Sequence, residues 1–257
     1  MTYLAFACKR RTCPVCGPRR ARLLARTLVL DAAIRPPGWC MTLTTADPET
    51  ASETFRGGMA YVGKRLRRWW EVEYFAKVEF TTGRGRKAGG QRRMHAHALL
   101  KGLEGADLLN VEEVVRSAWR ASTGAYVVEV AELRVPSAAL HYLGLHHSKA
   151  SQLPPASWRG MAERASRGYW SKPVAELREE AKRQLWAESL TWATGLDAAD
   201  ARLLVDGQCA QREAQRVERR AEVEALWEWR FAEAAAATER AIAADTGRQL
   251  ALSFPRG

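Results

Sequence analysis

The chain has 257 residues, enough for one domain with an appendage or for two small domains, and 47% of them are hydrophobic, enough to fill a core. No apolar run reaches the roughly 18 residues that a membrane helix needs, and residues 1–20 carry cysteines and arginines instead of a signal core, so we expect a globular cytoplasmic protein without a membrane partner. Lys and Arg outnumber Asp and Glu by 40 to 29, a net charge of +11, which favours a polyphosphate partner over a basic protein without a nucleic-acid role.

The first segment, residues 1–37, is rich in cysteine and arginine. An odd total of five cysteines argues against a disulfide framework, while the Cys-x2-Cys spacing of Cys13 and Cys16, with Cys8 before it, is typical of a zinc knuckle. A fourth ligand is not evident, and Cys40 is the reserve candidate. Reduced, packed thiols are the alternative. The candidate DNA-binding residues here and in a later Gly/Arg-rich turn are Arg10, Arg11, Arg19, Arg20, Arg84, Arg86, Arg92 and Arg93.

The middle of the chain alternates between strand and helix patterns. We predict strands at 38–45, 73–82, 94–100 and 126–132 from β-favouring, alternating residues. Helices are predicted from Asp47-Pro48 to about Trp70, from a cap at Asn110 with Glu113 to about Ala121, and from Pro136 to about Lys149.

This β-α-β-β-α-β order predicts an α+β fold: a ferredoxin-like, RRM-like antiparallel sheet with helices on one face and the other face free for a ligand. We assign residues 38–172 to this domain. Residues 173–257 form a helical tail by composition, either a solvated helical pair that closes the fold or a dimer element.

All five histidines fall in two short stretches, 95–97 and 141–147. Residues two apart on a strand share a face, so His95 and His97 present two imidazoles side by side, a pair that suits a divalent metal. Glu79 lies on the polar face of the preceding strand and could complete a two-His, one-carboxylate set. Histidines that serve only as polar surface groups are the alternative.

The second stretch places Tyr142, His146 and Lys149 on one helix face. A tyrosine becomes a usable nucleophile when cationic neighbours favour its oxyanion, and Lys149 supplies one. The alternative is a core tyrosine with a solvated lysine at the helix end.

Three segments in this order resemble the motifs of the HUH endonuclease superfamily, and most closely the rolling-circle replication initiators (Rep proteins) of small phages and plasmids. They are Trp39-Cys-Met-Thr-Leu-Thr-Thr45, Met94-His-Ala-His-Ala-Leu99 and Tyr142-Leu-Gly-Leu-His-His-Ser-Lys149, within residues 38 to 150. Ala96 is smaller than the usual bulky residue between the histidines. Leu145 and His146 replace the first lysine and second tyrosine of the two-tyrosine version, which leaves Tyr142 as the candidate nucleophile.

The resemblance implies a metal-dependent endonuclease and strand transferase in a bacterial host that nicks single-stranded DNA at a replication origin. Mg²⁺ or Mn²⁺ would be held by His95, His97 and an acidic residue, which the resemblance places at Glu79, with Glu73 and Glu71 as fallbacks. Tyr142 would form a 5′-phosphotyrosine link, assisted by Lys149. No phosphate loop is visible, so a host helicase and polymerase are the expected partners. An HUH transposase or relaxase and a non-catalytic zinc-dependent DNA-binding regulator are the competing interpretations.

Overall fold

A computed structural model describes residues 13, 16–45, 52–82, 92–125, 127–134 and 163–253. The chain divides into two compact units, Met1–Leu185 and Trp186–Gly257. The helices and strands, in chain order, are α1 (Cys16–Ala32), β1 (Trp39–Thr44), α2 (Ser52–Leu66), β2 (Glu73–Thr82), β3 (Arg92–Lys101), α3 (Leu108–Thr123), β4 (Val127–Glu132), β5 (Glu163–Ala165), α4 (Val174–Thr194) and α5 (Ala198–Ser253).

The first unit is built on a five-stranded sheet with the order β4-β1-β3-β2-β5, in which every neighbouring pair is antiparallel. Its first four strands have the arrangement of a split βαβ fold. The predicted α+β class with an antiparallel sheet is therefore confirmed, and the four predicted strands match β1 to β4 closely. The predicted helix at 136–149 and the predicted helix start at Asp47-Pro48 lie outside the described residues.

Helices α2 and α3 cover one face of the sheet and bury the main core against it. Phe55 of α2 and Trp119 of α3 meet edge to face with their ring centroids 5.3 Å apart. Gly58 allows this approach, because a Cβ atom there would lie 2.6 Å from Thr123 Cγ2 and 2.8 Å from the Trp119 ring. The Trp119 indole N–H donates to the carbonyl of Thr44 at 3.1 Å, which fixes α3 to the end of β1.

The predicted cap of α3 was wrong. Asp107 is the N-cap, since its carboxylate accepts the backbone N–H of Asn110 at 3.0 Å, so the helix begins two residues before the predicted cap. The helix ends at Gly124, whose φ of 72° is a conformation that glycine adopts without steric cost. The negative charge of Asp107 is also favoured at the N-terminal end of the helix by the helix dipole.

The second face of the sheet was expected to be free, and this was also wrong for its apolar part. Leu28 of α1 packs against Phe75 and Leu99, and Tyr169 joins the same buried cluster. The hydrophobic effect favours this packing, because these apolar side chains would otherwise be exposed to water. The part of this face that carries the histidines does not belong to that cluster.

A buried ion pair fastens α1 to the end of β3. The Lys101 ammonium lies 2.5 Å from Asp31 Oδ2 and also donates to the carbonyl of Tyr169 at 3.0 Å. Asp31 accepts the backbone N–H of Ser171 through its other oxygen at 2.7 Å. Because both charges are buried and each makes two hydrogen bonds, the pair holds α1, β3 and the 169–171 segment in one arrangement.

The second unit contains the end of α4 and all of α5, which confirms the predicted helical tail. Ala187, Ala201 and Val205 form its small core. Helix α5 has 56 residues, a length of about 84 Å, and several of its large apolar side chains are exposed, including Trp227, Trp229 and Phe231. No helix in the described part of the chain is long and apolar enough to cross a lipid bilayer.

Candidate metal centre

The polar part of the second sheet face is an array of cross-strand neighbours. His95 stands opposite Glu79 of β2 and Thr44 of β1, and His97 stands opposite Lys77 and Thr42. Residues that face each other across neighbouring strands share a sheet face, so the pleat of the three strands brings these side chains together.

Glu79 is the centre of this array and is only 1% exposed. Its Oε2 lies 3.4 Å from His95 Nε2 and 3.8 Å from His97 Nε2. The potential ligand atoms of the three residues all lie within 4.8 Å of one another, and the group can hold a metal ion. The two fallback carboxylates are not part of this group. Glu73 lies six residues before Glu79 on β2, where it stands opposite Lys101 of β3, and Glu71 precedes the strand.

These separations fit shared coordination of one ion. Two ligand atoms that are each about 2.1 Å from a divalent ion lie about 3.0 Å apart at a right angle and about 3.4 Å apart at the tetrahedral angle. The two distances from Glu79 Oε2 fall at or slightly above this range. Small side-chain adjustments therefore suffice for all three residues to bind the same ion.

Lys77 determines which oxygen of Glu79 is offered to the histidines. Its ammonium lies 3.1 Å from Oε1, and its side chain is 4% exposed. Burial by itself raises the pKa of Glu79, but the hydrogen bond with His95 and the charge of Lys77 outweigh it and hold that pKa at about 2. The carboxylate is therefore ionised at neutral pH, as metal binding requires, with Oε2 directed at the histidine pair.

Thr42 orients the second imidazole. Its hydroxyl lies 3.1 Å from His97 Nδ1, on the side of the ring away from Glu79. If the hydroxyl accepts from Nδ1–H, the lone pair of Nε2 is available to a metal, and this is the usual arrangement of a metal-bound histidine. The tautomer is assigned from this geometry.

The site is open on the histidine side. The side chains of His95 and His97 are 14% and 24% exposed, whereas Glu79 is sealed beneath them. Their rings lie 4.9 Å apart and nearly perpendicular. An ion held by these residues would have its carboxylate ligand in the protein interior and its two imidazole ligands on the partly exposed side.

The candidate nucleophile and its neighbour, Tyr142 and Lys149, lie outside the described residues, as do Cys8, Arg10, Arg11, Arg84 and Arg86. Arg19 and Arg20 lie on α1. Arg92 and Arg93 lie on β3, opposite Thr82 and Thr81. The described residues thus contain the candidate metal ligands and only part of the predicted DNA-binding set.

Tyr169 is a tyrosine within the described residues, and its environment disfavours a role as nucleophile. It is buried against Phe75 and Trp170, and the Lys101 ammonium lies 4.4 Å from the centre of its ring. Burial, and to a smaller extent the charge of Asp31, raises the pKa of the Tyr169 phenol. Its oxyanion is therefore less accessible than that of a tyrosine in water.

Two cysteines of the predicted zinc knuckle, Cys13 and Cys16, fall within the described residues and form no disulfide bond there. Cys13 Sγ accepts the backbone N–H of Cys16 at 3.3 Å, at the start of α1. Cys40, the reserve ligand, lies on β1 beside the apolar cluster, where burial and the nearby charge of Glu129 raise its pKa. Within the described residues, Glu79, His95 and His97 are the only three potential metal ligands that cluster together.

Sequence reasoning missed two contributors to the site, Lys77 and Thr42. Lys77 shares strand parity with Glu79, so its face was predictable, but its burial was not. Thr42 lies in the first motif, and its contact with His97 depends on the register between β1 and β3, which a single strand does not specify.

No family model, curated protein sequence or solved structure matches this chain. The fold and the site define it as an α+β protein whose antiparallel sheet carries a Glu/His/His group that can hold a metal ion. This arrangement is compatible with an HUH motif.

Proposed function

We propose that this protein is a metal-dependent DNA nickase and strand transferase of the HUH type that initiates rolling-circle replication. The observation that carries the proposal is the convergence of Glu79, His95 and His97 on one open sheet face. The order of the three sequence motifs and the net charge of +11 support it independently of that geometry.

The chemistry of the donor set supports a hard or borderline divalent ion. Two imidazoles and one carboxylate leave coordination positions open, as a catalytic site requires and a closed structural site does not. An ion held there, proposed to be Mg²⁺ or Mn²⁺, would act as a Lewis acid on a phosphate oxygen of the DNA. Lys77 balances the charge of Glu79, so the site as a whole remains cationic toward an anionic phosphodiester.

Tyr142 is the proposed nucleophile. Its oxygen would form a bond to phosphorus while the bond from phosphorus to the 3′-oxygen breaks, leaving a 5′-phosphotyrosine and a free 3′-hydroxyl. The proton lost by the phenol is balanced by the proton that the leaving oxygen gains, and no water is consumed. Lys149 is proposed to favour the phenolate form of Tyr142. A host polymerase would extend the 3′-hydroxyl, and a host helicase would unwind the duplex.

Covalent trapping tests this function. Purified protein is incubated with end-labelled single-stranded DNA from its own replicon and Mn²⁺, and a denaturing gel separates a protein-linked product from free DNA. We expect an adduct with the wild type and none with Tyr142→Phe, Glu79→Gln or added EDTA. Tyr61→Phe is the matched control, since Tyr61 is an exposed tyrosine on α2, the helix packed on the opposite face of the sheet.

Each other outcome contradicts a defined part of the proposal. An adduct that persists in Tyr142→Phe but not in Glu79→Gln moves the nucleophile to another residue. DNA binding without cleavage, across substrates and metals, favours a non-catalytic DNA-binding regulator.

A zinc ion bound by Cys8, Cys13 and Cys16 is proposed as a separate structural element. The N–H to sulfur contact between Cys16 and Cys13 supports a metal knuckle. Elemental analysis of protein purified without chelator is expected to give about one zinc per chain, lost in Cys13→Ser. Zinc that remains in Cys13→Ser but disappears in His97→Ala would place the ion at the sheet site instead.

A further inference from the structure

An exposed tryptophan stands at the end of α2, far from the metal centre. Trp69 is 64% exposed and lies in the turn that follows the helix. Its backbone N–H donates to the carbonyl of Leu66 at 3.0 Å, so its main chain is held by the last turn of α2. A large aromatic ring presented to solvent from an ordered backbone is a common feature of binding surfaces.

Trp69 separates two hollows and lines both of them. One, of about 540 Å³, lies between Trp69 and α3 and is bordered by Arg65, Asn110 and Ser117. The other, of about 620 Å³, lies on the side of Arg35 and Arg68. Both volumes fall within the range of about 300–1,000 Å³ that is typical of small-ligand sites. Space is therefore available on more than one side of the indole.

Four arginines and three glutamates line the two hollows, a net charge of +1 that favours an anionic ligand over a cationic one. Arg65 and Arg68 make no ion pair within the described part of the chain, whereas Arg67 is committed to Glu73 at 3.2 Å. Glu71 and Glu113 also line the hollows, so the net positive charge is modest. Stacking on the indole is therefore expected to contribute more to affinity than charge does.

The scaffold around Trp69 is already ordered. Trp70 packs against the main core, and its N–H donates to the carbonyl of Leu66 at 3.0 Å. Arg67 closes the loop that follows, because its Nε donates to the carbonyl of Val72 at 3.0 Å. A ligand would thus have little backbone to order on binding, which favours affinity.

We propose that the Trp69 surface, comprising Trp69, Arg65, Arg68 and Arg35, is a binding site for single-stranded DNA, with a base stacked on the indole and phosphates on the arginines. Base stacking on an aromatic side chain, combined with cationic contacts to the backbone, is the general chemistry of sequence-tolerant single-strand binding. A duplex is excluded from stacking here because its bases already stack on one another.

The Trp69 surface is distinct from the metal centre. Glu73 forms an ion pair with Arg67 and lines the hollow next to Trp69. It lies six residues from Glu79 along β2, which corresponds to a separation of about 20 Å. DNA bound at this surface would therefore be held well away from the cleavage chemistry. The inference goes beyond the proposed nicking activity and does not depend on it.

Fluorescence anisotropy with fluorescein-labelled d(T)20 tests the inference, using the full chain with Tyr142→Phe to prevent covalent capture. Trp69→Ala is expected to weaken binding by roughly 5- to 100-fold, and Trp69→Phe to retain most of the affinity, since a phenyl ring still stacks. Arg68→Ala is expected to reduce the salt slope of the binding constant by about 0.7, one phosphate contact.

Trp192→Ala is the matched control, because Trp192 is 89% exposed but lies on α4. It should bind d(T)20 with the affinity of the parent protein, the full chain with Tyr142→Phe. The affinity for a 20-base-pair duplex should be the same with and without Trp69→Ala. The inference is overturned if Trp69→Ala binds d(T)20 like the parent, if Trp192→Ala loses as much affinity, or if the parent does not bind d(T)20. Circular dichroism confirms folding of each variant.

The failure of this inference is distinguishable from the failure of the nickase proposal. Loss of d(T)20 binding in Trp69→Ala, in a protein whose wild type never forms an adduct, supports the Trp69 surface and contradicts the nickase. An adduct with the wild type, together with unchanged binding in Trp69→Ala, supports the nickase and contradicts the surface.

Discussion

The ammonium of Lys77 lies 3.1 Å from Oε1 of Glu79, two residues further along the same strand, and both side chains are almost completely buried. Strand alternation places both on one face, and neighbouring elements seal them from water. One charge compensates the other, and the remaining oxygen of Glu79 faces the histidine pair.

Removal of Lys77 is expected to destabilise the metal-free protein. Lys77→Met leaves the buried carboxylate of Glu79 without its cation, and we expect a loss of about 3–5 kcal/mol in the free energy of unfolding, measured by urea denaturation in EDTA. The double variant Lys77→Met, Glu79→Gln should lose less than the sum of the single variants, because no buried charge remains uncompensated. Additive losses would show that the two groups do not interact.

Acid stability should report the low pKa of Glu79. Its folded pKa of about 2 lies below the ordinary 4.5, so in the metal-free protein its contribution to stability is fully present above about pH 4.5 and is lost as pH falls toward 2. Over that interval the unfolded chain binds up to one proton more at this position. Glu79→Gln should therefore show a shallower fall in the free energy of unfolding between pH 4.5 and 2; equal slopes would contradict the shift.

Thr42→Val is expected to weaken metal binding without disturbing the strand. The substitution conserves shape but removes the hydroxyl that lies 3.1 Å from His97 Nδ1, so the ring is no longer fixed. Loss of such an orienting partner typically costs 10- to 100-fold in metal affinity. Titration calorimetry with Mn²⁺ measures the change. Thr27→Val is the control, because the Thr27 hydroxyl donates to the carbonyl of Leu23 within α1. This variant should bind Mn²⁺ with the affinity of the wild type.

Tyr169→Phe should leave the protein at least as stable as the wild type. The phenol oxygen of Tyr169 is buried and has no hydrogen-bond partner within the described residues, so its removal relieves a desolvation cost. The ring contacts with Phe75 and Lys101 persist in the variant. Thermal unfolding is the measurement, with Tyr169→Ala as the comparison that should lose about 3–5 kcal/mol. A marked loss in Tyr169→Phe would reveal a partner for the hydroxyl.

The strands were predictable because their signals are local. Alternation along residues 73–82 and 94–100 assigned Glu79 and His95 to faces of their own strands, and β2 and β3 agree with that assignment. The cap of α3 was less predictable, because Asp107 and Asn110 are both good N-cap residues and the choice between them depends on how the chain leaves the preceding turn.

The coverage of the second sheet face was not predictable from the middle of the chain alone. Phe75 and Leu99 share strand parity with Lys77 and His97, so each strand places apolar and polar residues on the same face. Leu28, sixty or more residues away from Leu99 in sequence, covers only the apolar part. Such a contact depends on the packing of α1, which its own composition does not specify.

The strands, the fold class and the residue types that can hold a metal were predictable, because periodicity and side-chain chemistry are properties of short segments. The contact of Glu79 with both histidines, the burial of Lys77 beside it and the covering of the apolar part of the second sheet face depend on tertiary packing. Strand register and long-range packing follow from the free energy of the whole core, which no single segment contains.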